Sequence, residues 1–385
     1  MNLRIISDIH EFLAFEGKWS QFLTACINDD FFLSHIWINT YLRQKFNGHR
    51  LRILLFETEN GIISAAPLGI RKGSVITPSG WKLPIVTRTL HFIGDGHSPR
   101  CDFPIICDSE AVVGKFAEYA VAHTSEWEMI ELRQIPSTSP NLPFLENAFS
   151  RLGFEVSITK DAICPYRHFD NLSGTEASLF SPNYSKRLHR LINKGMKELK
   201  SSGKVEVKVY HDCQPNTILE SCIAGIESGS WKRKAKHRLF SEDMASFTAE
   251  LIHAACNTSQ LFFVTLNVDD APVAYNMGFI YRGKYYSYSS AYKASYTHYK
   301  PGYILHREVI DIMNRMNMVE HDFLMGDSRY KQSFCNRVRQ NYVVRVFNDH
   351  PVSRLLYGLY SGLRQIYKQA KEYLFTRSNN GSSRG

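Results

Sequence analysis

Several absent features limit the classes of protein to which this chain can belong. It has no run of about 18 apolar residues, and residues 1–12 mix charged and apolar side chains, so neither a membrane span nor a secretory signal is predicted. Its eight cysteines include no Cys-x-x-Cys pair and no Cys/His cluster with zinc-ligand spacing. Scattered thiols are typical of a reducing compartment, so we expect a cytoplasmic protein without a metal.

The motifs of several enzyme classes are missing as well. The sequence contains no G-x-G-x-x-G, no P-loop, no G-x-S-x-G and no H-E-x-x-H. Acidic residues are outnumbered, 37 against 46 Lys and Arg, which gives a net charge of +9. This charge favours an anionic partner, such as a nucleotide phosphate, a phosphorylated carrier, nucleic acid or an acidic membrane face, or it only keeps the protein soluble.

A pattern of strands and helices occurs twice along the chain. RILLFETENGIISAAPLGI, from Arg52, matches FFVTLNVDDAPVAYNMGFI, from Phe262, strand for strand. WEMIELRQI, from Trp127, and VEHDFLMGD, from Val319, each follow a helical pattern. Three strands, a helix and a strand indicate an α/β (α+β) fold, a mixed and mostly antiparallel sheet flanked by helices. Chance similarity between two α/β segments is the alternative.

We expect three regions along the chain. They are a supporting domain at 1–160, a working domain at 161–350, and a basic amphipathic helix with a disordered end at 351–385. That helix could lie on the acidic inner face of a membrane, or it could pack against its own domain. Residues 134–143 contain three prolines and are predicted to form a loop.

The start of one predicted helix has the features of a phosphate site. Lys300, Pro301 and Gly302 directly precede an amphipathic pattern, and Tyr299 and Tyr303 flank them. First-turn N–H groups lack an intrahelical partner and the helix dipole is positive there, so a pyrophosphate could bind with Lys300 adding charge. A simple turn leading into the helix is the alternative.

The segment DFLMGDSRYKQSF, residues 322–334, follows a short buried strand and is the second candidate. Asp322 is flanked by Phe323 and Leu324, so we expect burial to raise its pKa and make it a general base. Asp327 is the other candidate base, with Tyr330 and Lys331 close in sequence. Alternatively, Asp327 caps the next turn and pairs with Lys331.

Three further groups are candidates for substrate contact and proton transfer. In GIESGSWKRK, Glu227 ends a helix, and Trp231 with Lys232 could form a stacking floor, although a core tryptophan beside a solvated lysine is equally consistent. Tyr288 and Tyr292 belong to a tyrosine cluster, in which the phenol of Tyr292 or Tyr296 could protonate a thiolate leaving group, or the rings could only pack together. The basic helix at 184–204, with Arg187, could receive an anionic acceptor or nucleic acid, or it could be a solvated face.

The combination of these segments resembles a known family. SPNYSKRLHRLINKGMKELKSSGKVEV, ESGSWK, YKPGYILHREVI and HDFLMGDSRYKQSF, in this order and spacing, are similar to the CelD/BcsL-type, BioF-like acetyltransferase-domain family of the GNAT superfamily, which is related to the FemAB peptidyltransferases. Together with the intervening strands they cover about residues 181–345. The resemblance implies two tandem GNAT-like domains.

The resemblance also implies a function. It implies acyl transfer from acetyl-CoA in exopolysaccharide or other envelope-polymer synthesis, to an anionic small-molecule or carrier-linked sugar acceptor rather than to nucleic acid. The family's Pro-Gly falls on Pro301-Gly302, its Gly-Asp-x-x-Tyr-Lys on residues 326–331, and its Trp-Lys on Trp231-Lys232. The chain lacks the Gln/Arg-x-x-Gly-x-Gly/Ala loop of typical GNAT enzymes. An aminoacyl-tRNA donor, as in FemAB relatives, and an inactive scaffold are the alternatives.

Overall fold

The computed structural model describes residues 1–76, 82–169, 186–210, 217–234 and 238–362. The strands and helices of the first half are β1 (Asn2–Ile6), α1 (Ile9–Leu13), α2 (Glu16–Ala25), α3 (His35–Lys45), β2 (Arg50–Thr58), β3 (Gly61–Ile76), β4 (Lys82–Phe92), α4 (Ser109–Ala122), β5 (Met129–Pro136), α5 (Leu142–Ser150) and β6 (Glu155–His168). Those of the second half are α6 (Lys186–Ser202), β7 (Val205–Tyr210), α7 (Thr217–Ser228), α8 (Ala245–Asn257), β8 (Leu261–Val268), β9 (Ala271–Tyr281), β10 (Lys284–Tyr292), α9 (Pro301–Arg315), β11 (Glu320–Asp322), α10 (Arg329–Phe334) and β12 (Arg337–Phe347).

All these strands join one 12-stranded sheet in the order β1-β2-β3-β4-β5-β12-β6-β11-β10-β9-β8-β7. The order is symmetric: β1 to β5 and β7 to β11 occupy matching places on either side of the central pair. Neighbouring strands are antiparallel except at the matching pairs β4–β5 and β10–β11, where a helix connects two parallel strands. The predicted fold class, a mixed and mostly antiparallel sheet with helices on it, is therefore confirmed, and so is the internal repeat.

The two central strands are exchanged between the halves. β6 closes the first half in sequence but pairs with β11 of the second, and β12 closes the second half but pairs with β5 of the first. β6 and β12 also pair with each other along most of their length. The predicted boundary at residue 160 falls inside β6, a strand that both halves use, so the division into domains stays a prediction.

The loop predicted at 134–143 is wrong at both ends. β5 continues to Pro136, which lies opposite Asn341 of β12, and α5 already begins at Leu142. Pro143 occupies the first turn of α5, where a missing N–H costs nothing. The prolines therefore lie at the end of β5 and at the start of α5, and they do not prevent either element from forming.

Helices cover both faces of the second half of the sheet. On one face, the aromatic side chains of the first half pack against it, and the ring of Phe31 stacks on Phe279 with a centroid distance of 4.2 Å. On the other face, Ile304 and Val309 of α9 pack with Phe262 of β8. All residues of β8 are buried as a result.

Residues 351–362 form a further helical segment. Its Leu356 and Tyr360 pack against Met129 and Phe347, so this part of the predicted terminal helix contacts the chain's own sheet. The remainder of that prediction, from residue 363, lies outside the described residues. Over the described ranges, no helix combines the length and the apolar character needed to cross a lipid bilayer.

A buried ionic network connects the halves next to the exchanged strands. Arg100, from the loop after β4, pairs with Asp322 of β11 and with Asp30. Arg339 of β12 pairs with the same Asp322 at 3.0 Å and with Glu320 at 2.8 Å. Each of these side chains is buried. Loss of one member leaves an uncompensated charge in the interior, which is strongly destabilising.

We expect Asp322→Ala to lower the free energy of unfolding by about 3–5 kcal/mol, because it removes the carboxylate with which the guanidinium groups of Arg100 and Arg339 pair. Urea denaturation followed by tryptophan fluorescence measures the change. The matched control is Glu118→Ala, which removes an exposed ion pair with Lys115 and should change stability little. An Asp322→Ala protein as stable as wild type would show that the network does not hold the halves together.

Candidate active site

A cavity opens where β10 and β11 separate. The two strands pair only from Lys284–Glu320 to Tyr286–Asp322, after which β10 continues to Tyr292 while the chain after β11 turns away. Tyr288 is bulged out of register with β9, because Ser287 and Ser289 face consecutive residues of that strand. The cavity has a volume of about 1170 Å³, above the roughly 300–1,000 Å³ of typical small-molecule pockets.

The cavity collects most of the predicted site residues. Its walls include Trp231, Lys232, Tyr288, Tyr292, Lys300, Gly302, Tyr303, Asp327, Tyr330 and Lys331. Five predicted residues are not among its lining residues, namely Glu227, Tyr299, Pro301, Asp322 and Arg187. The sequence analysis predicted a supporting role for the first half but did not name Gly96, His97 and Pro99, which line the cavity. It also missed Ser289 and Ser290 of β10, which line the cavity.

The N-terminus of α9 faces this cavity. Lys300 has left-handed backbone angles, φ 60 and ψ 44, and its carbonyl accepts hydrogen bonds from the N–H groups of Tyr303 and Ile304. A Cβ on Gly302 would lie 3.3 Å from the ring of Tyr292, so glycine lets the helix start directly against that ring. A 15-residue helix dipole and a lysine thus converge on one wall, a combination that suits a phosphate group.

The matching helix of the first half differs in charge. α4 also begins after a residue in the left-handed conformation, Asp108 with φ 61. Asp108 and Glu110 are exposed and acidic at the position where α9 has Lys300, so they would repel a phosphate. The second half therefore has the electrostatics for an anionic ligand.

A polar cluster lies beneath the cavity. The carboxylate of Glu227 accepts hydrogen bonds from the hydroxyl of Tyr275 at 2.7 Å and from the ammonium of Lys232 at 3.3 Å. Lys232 also donates to Ser289 at 2.7 Å, and the oxygens of Ser289 and Tyr275 are 2.9 Å apart. Burial lowers the pKa of Lys232 although Glu227 opposes the shift. Trp231 is 64% exposed and Lys232 is 9% exposed. Of the predicted stacking pair, Trp231 therefore lies at the rim of the cavity, whereas Lys232 is a buried cation.

The opposite wall is formed by His306, Tyr330 and Lys331. The rings of His306 and Tyr330 stack at 4.7 Å. Burial lowers the pKa of His306 to about 3 and raises that of Tyr330 to about 12, so both are neutral near pH 7. Burial lowers the pKa of Lys331 to about 8, against the opposing charge of Asp322. The ammonium of Lys331 donates to the carbonyls of Leu324 and Met325.

The two carboxylates predicted as bases have different surroundings. Burial opposes ionisation of Asp322, but Arg100 and Arg339 outweigh it and lower the pKa of this carboxyl. The predicted raised pKa is therefore wrong, because the sequence neighbours Phe323 and Leu324 do not determine its environment. Asp327 is exposed at the cavity rim, where Gln332 donates to it. Arg187 is exposed on α6.

We expect the amine of Lys331 to react with trace acetic anhydride with a midpoint at about pH 8, because burial disfavours its charged form. Mass spectrometry of the peptide containing Lys331, labelled at a series of pH values, measures the midpoint. In denatured protein the same peptide should react only near the ordinary lysine pKa of about 10.4. Equal midpoints in folded and denatured protein would contradict the buried position.

Comparisons with known proteins agree with this geometry. Residues 186–332, which include α9, the end of β11 and most of α10, match the sequence profile described as an acetyltransferase (GNAT) domain. A search of curated proteins found no match. FemX has a TM-score of 0.54 at 12% identity, covering 88% of this chain and 97% of its own.

Two other solved structures are similar over their whole length. A conserved protein of unknown function from Bacteroides thetaiotaomicron VPI-5482 has a TM-score of 0.53 at 12% identity, covering 90% of this chain and 100% of its own. The C-terminal domain (DUF2156) of a putative lysylphosphatidylglycerol synthetase from Agrobacterium fabrum has a TM-score of 0.50 at 11% identity, covering 91% and 95%. At such identities the similarity shows the fold. The chain thus has a GNAT-type fold with an internal repeat, and residues 186–332 match the profile of a GNAT acetyltransferase domain.

Proposed function

We propose that the protein is an acyltransferase that moves an acyl group, acetyl by preference, from coenzyme A to an amine or hydroxyl acceptor. The observation that carries this proposal is that one cavity joins the N-terminus of α9 to the bulge of β10. The first is suited to a pyrophosphate and the second to a thioester carbonyl. A thioester held in this way would meet the acceptor already oriented, which supplies much of the rate.

The donor would lie along β10. Its pyrophosphate would be held by the first-turn N–H groups of α9 and by Lys300, with Gly302 allowing close approach. Its thioester would reach the bulge at Tyr288, where the interrupted ladder can leave a backbone N–H for the carbonyl oxygen. Trp231 and His97 on the opposite rim would contact the acceptor.

The leaving thiolate needs a proton, and two phenols are candidates. Tyr292, one of the two phenols that the sequence indicates, packs against Gly302 beneath the proposed pyrophosphate. Tyr330 lines the cavity and stacks on His306, and its phenol stays protonated because burial raises its pKa to about 12. We therefore favour Tyr330 as the proton donor and Tyr292 as a contact of the donor backbone. Lys331 and Asp327 would complete the wall and rim.

The acceptor class rests on the resemblance to the CelD/BcsL-type family. It supports an anionic small molecule or a carrier-linked sugar as the acceptor, which would be acetylated in the synthesis of an envelope polymer. The scattered cysteines support a cytoplasmic location, and the basic amphipathic pattern of the terminal helix supports a contact with the inner face of a membrane.

A second candidate donor is an aminoacyl-tRNA, as in the FemAB relatives. The observation that favours it is the basic surface of α6, where Lys186, Arg187, Arg190, Lys194 and Lys197 are exposed. α6 packs directly on the chain before α9, since a Cβ on Gly195 would lie 2.2 Å from the carbonyl oxygen of Tyr299. A phosphate backbone on α6 would therefore be close to the cavity.

Isothermal titration with acetyl-CoA tests the proposed donor. We expect Lys300→Glu to weaken binding about tenfold or more, because it puts a carboxylate beside the pyrophosphate at the start of α9. The matched control is Lys197→Glu, the same change of net charge on the exposed face of α6.

Each alternative outcome is distinct. Failure of the wild-type protein to bind acetyl-CoA, together with retention on tRNA at physiological salt, would favour the second donor. Equal affinities of Lys300→Glu and Lys197→Glu would contradict a phosphate site at α9.

A further inference from the structure

The cluster of Glu227, Lys232, Tyr275 and Ser289 is not explained by donor binding. Lys232, Tyr275 and Ser289 line the cavity, while Glu227 lies behind them and is 2% exposed. Taking a carboxylate and an ammonium out of water is expensive, and apolar residues of similar volume often serve stability as well or better. A complete charged cluster directly under a ligand cavity therefore suggests a chemical role.

The directions of its hydrogen bonds follow from the chemistry of the groups. An ionised carboxylate only accepts and an ammonium only donates. The single hydroxyl hydrogen of Tyr275 therefore points to Glu227, at 2.7 Å. Between Tyr275 and Ser289, at 2.9 Å, the hydrogen must then come from Ser289.

Ser289 is thereby polarised towards the protein interior. Its hydrogen is directed at Tyr275, and one lone pair of its oxygen accepts from Lys232 at 2.7 Å. Its second lone pair remains for the cavity, so Ser289 presents an acceptor there. Ser289 also adjoins the bulged Tyr288, where the thioester carbonyl is placed in the proposed function.

We propose that Ser289, Tyr275 and Glu227 form a proton relay that serves as the general base of the proposed acyl transfer. As the acceptor nitrogen or oxygen bonds to the acyl carbon, its proton moves to Ser289. The proton of Ser289 moves to Tyr275, and that of Tyr275 moves to Glu227, which becomes a carboxylic acid. Lys232 holds Ser289 and Glu227 in place and stabilises negative charge that develops on the serine oxygen.

The remaining bonds and protons balance with groups already described. The carbon–sulfur bond breaks with its electron pair on sulfur, and the thiolate takes a proton from the phenol of Tyr330. The extra proton on Glu227 returns through solvent to Tyr330 once the products leave. No further reactant is required, and Glu227 is a positioning residue that accepts the proton through Tyr275 and Ser289 without touching the substrate.

The test uses the full chain with acetyl-CoA and two surrogate acceptors, hydroxylamine and N-acetylcysteamine. Hydroxylamine must lose a proton during attack, whereas the thiol reacts as a preformed thiolate and needs no base. We expect Tyr275→Phe and Glu227→Gln to lower kcat with hydroxylamine about a hundredfold, the lower end of a general-base contribution, with an unchanged KM for acetyl-CoA. Transfer to the thiol should persist.

Two controls separate the relay from a loss of structure. Tyr285→Phe removes the hydroxyl of another buried tyrosine, which donates to Asn276 and does not line the cavity, and it should leave both rates unchanged. Ser289→Thr keeps the hydroxyl and should retain most of the activity that Ser289→Ala loses.

Two results would overturn the relay alone. One is a Tyr275→Phe protein as active as wild type with hydroxylamine, and the other is an acetyl group found on Ser289 by mass spectrometry, which would make the serine a nucleophile. By contrast, a wild-type protein that neither binds acetyl-CoA nor acetylates either surrogate would contradict the proposed function, and the relay with it.

Discussion

Arg100 and Asp322 form the contact on which both the union of the halves and the shape of the cavity depend. One oxygen of Asp322 pairs with Arg100 and Arg339 from two other segments, while its second oxygen accepts the N–H of Leu324 at 2.7 Å. Leu324 has a positive φ of 58, which is uncommon for such a side chain. The carboxylate thus stabilises the turn that leads the chain away from β10. Without that turn, the chain after β11 would not be directed away from β10.

The symmetric sheet carries an asymmetric pair of ligand surfaces. α9 and α4 begin with the same left-handed residue, yet one presents Lys300 and the other Asp108 to solvent or ligand. The first half instead contributes Gly96 and His97 to the rim of the second half's cavity. The two copies of the fold therefore differ in the charges at these helix starts, while the order of strands and helices is the same.

Sequence patterns predicted those parts of the site that depend on local order. β10 ends before α9 and β11 ends before α10. Because β10 and β11 are parallel, Lys300, Gly302, Tyr330 and Lys331 come to the same edge of the sheet. Asp322 could not be interpreted in the same way, since its partner Arg100 is 222 positions away. The exchange of β6 and β12 was equally hidden, because alternation within a strand does not identify its neighbour.

The cluster around Glu227 shows the same limit on a smaller scale. Glu227 at the end of an amphipathic helix has the appearance of a surface residue, and only the position of Tyr275, 48 residues further on, reveals a buried carboxylate. A weak signal was present, because Ser287 and Ser289 are hydroxyl residues in a strand whose other residues are mostly aromatic. Hydroxyls at alternate positions of a buried strand need partners, and those partners were not local.

The exchanged strands have a consequence for how such a protein could have arisen. One half alone would leave the edge of its last strand without a partner, and the natural partner is the same strand of a second copy. Such a pair would be a twofold homodimer, in which every substitution appears in both binding clefts at once. When the two copies are joined in a single polypeptide, a substitution in one cleft no longer appears in the other. The helix of one half can then begin with a lysine while the matching helix of the other half begins with acidic residues.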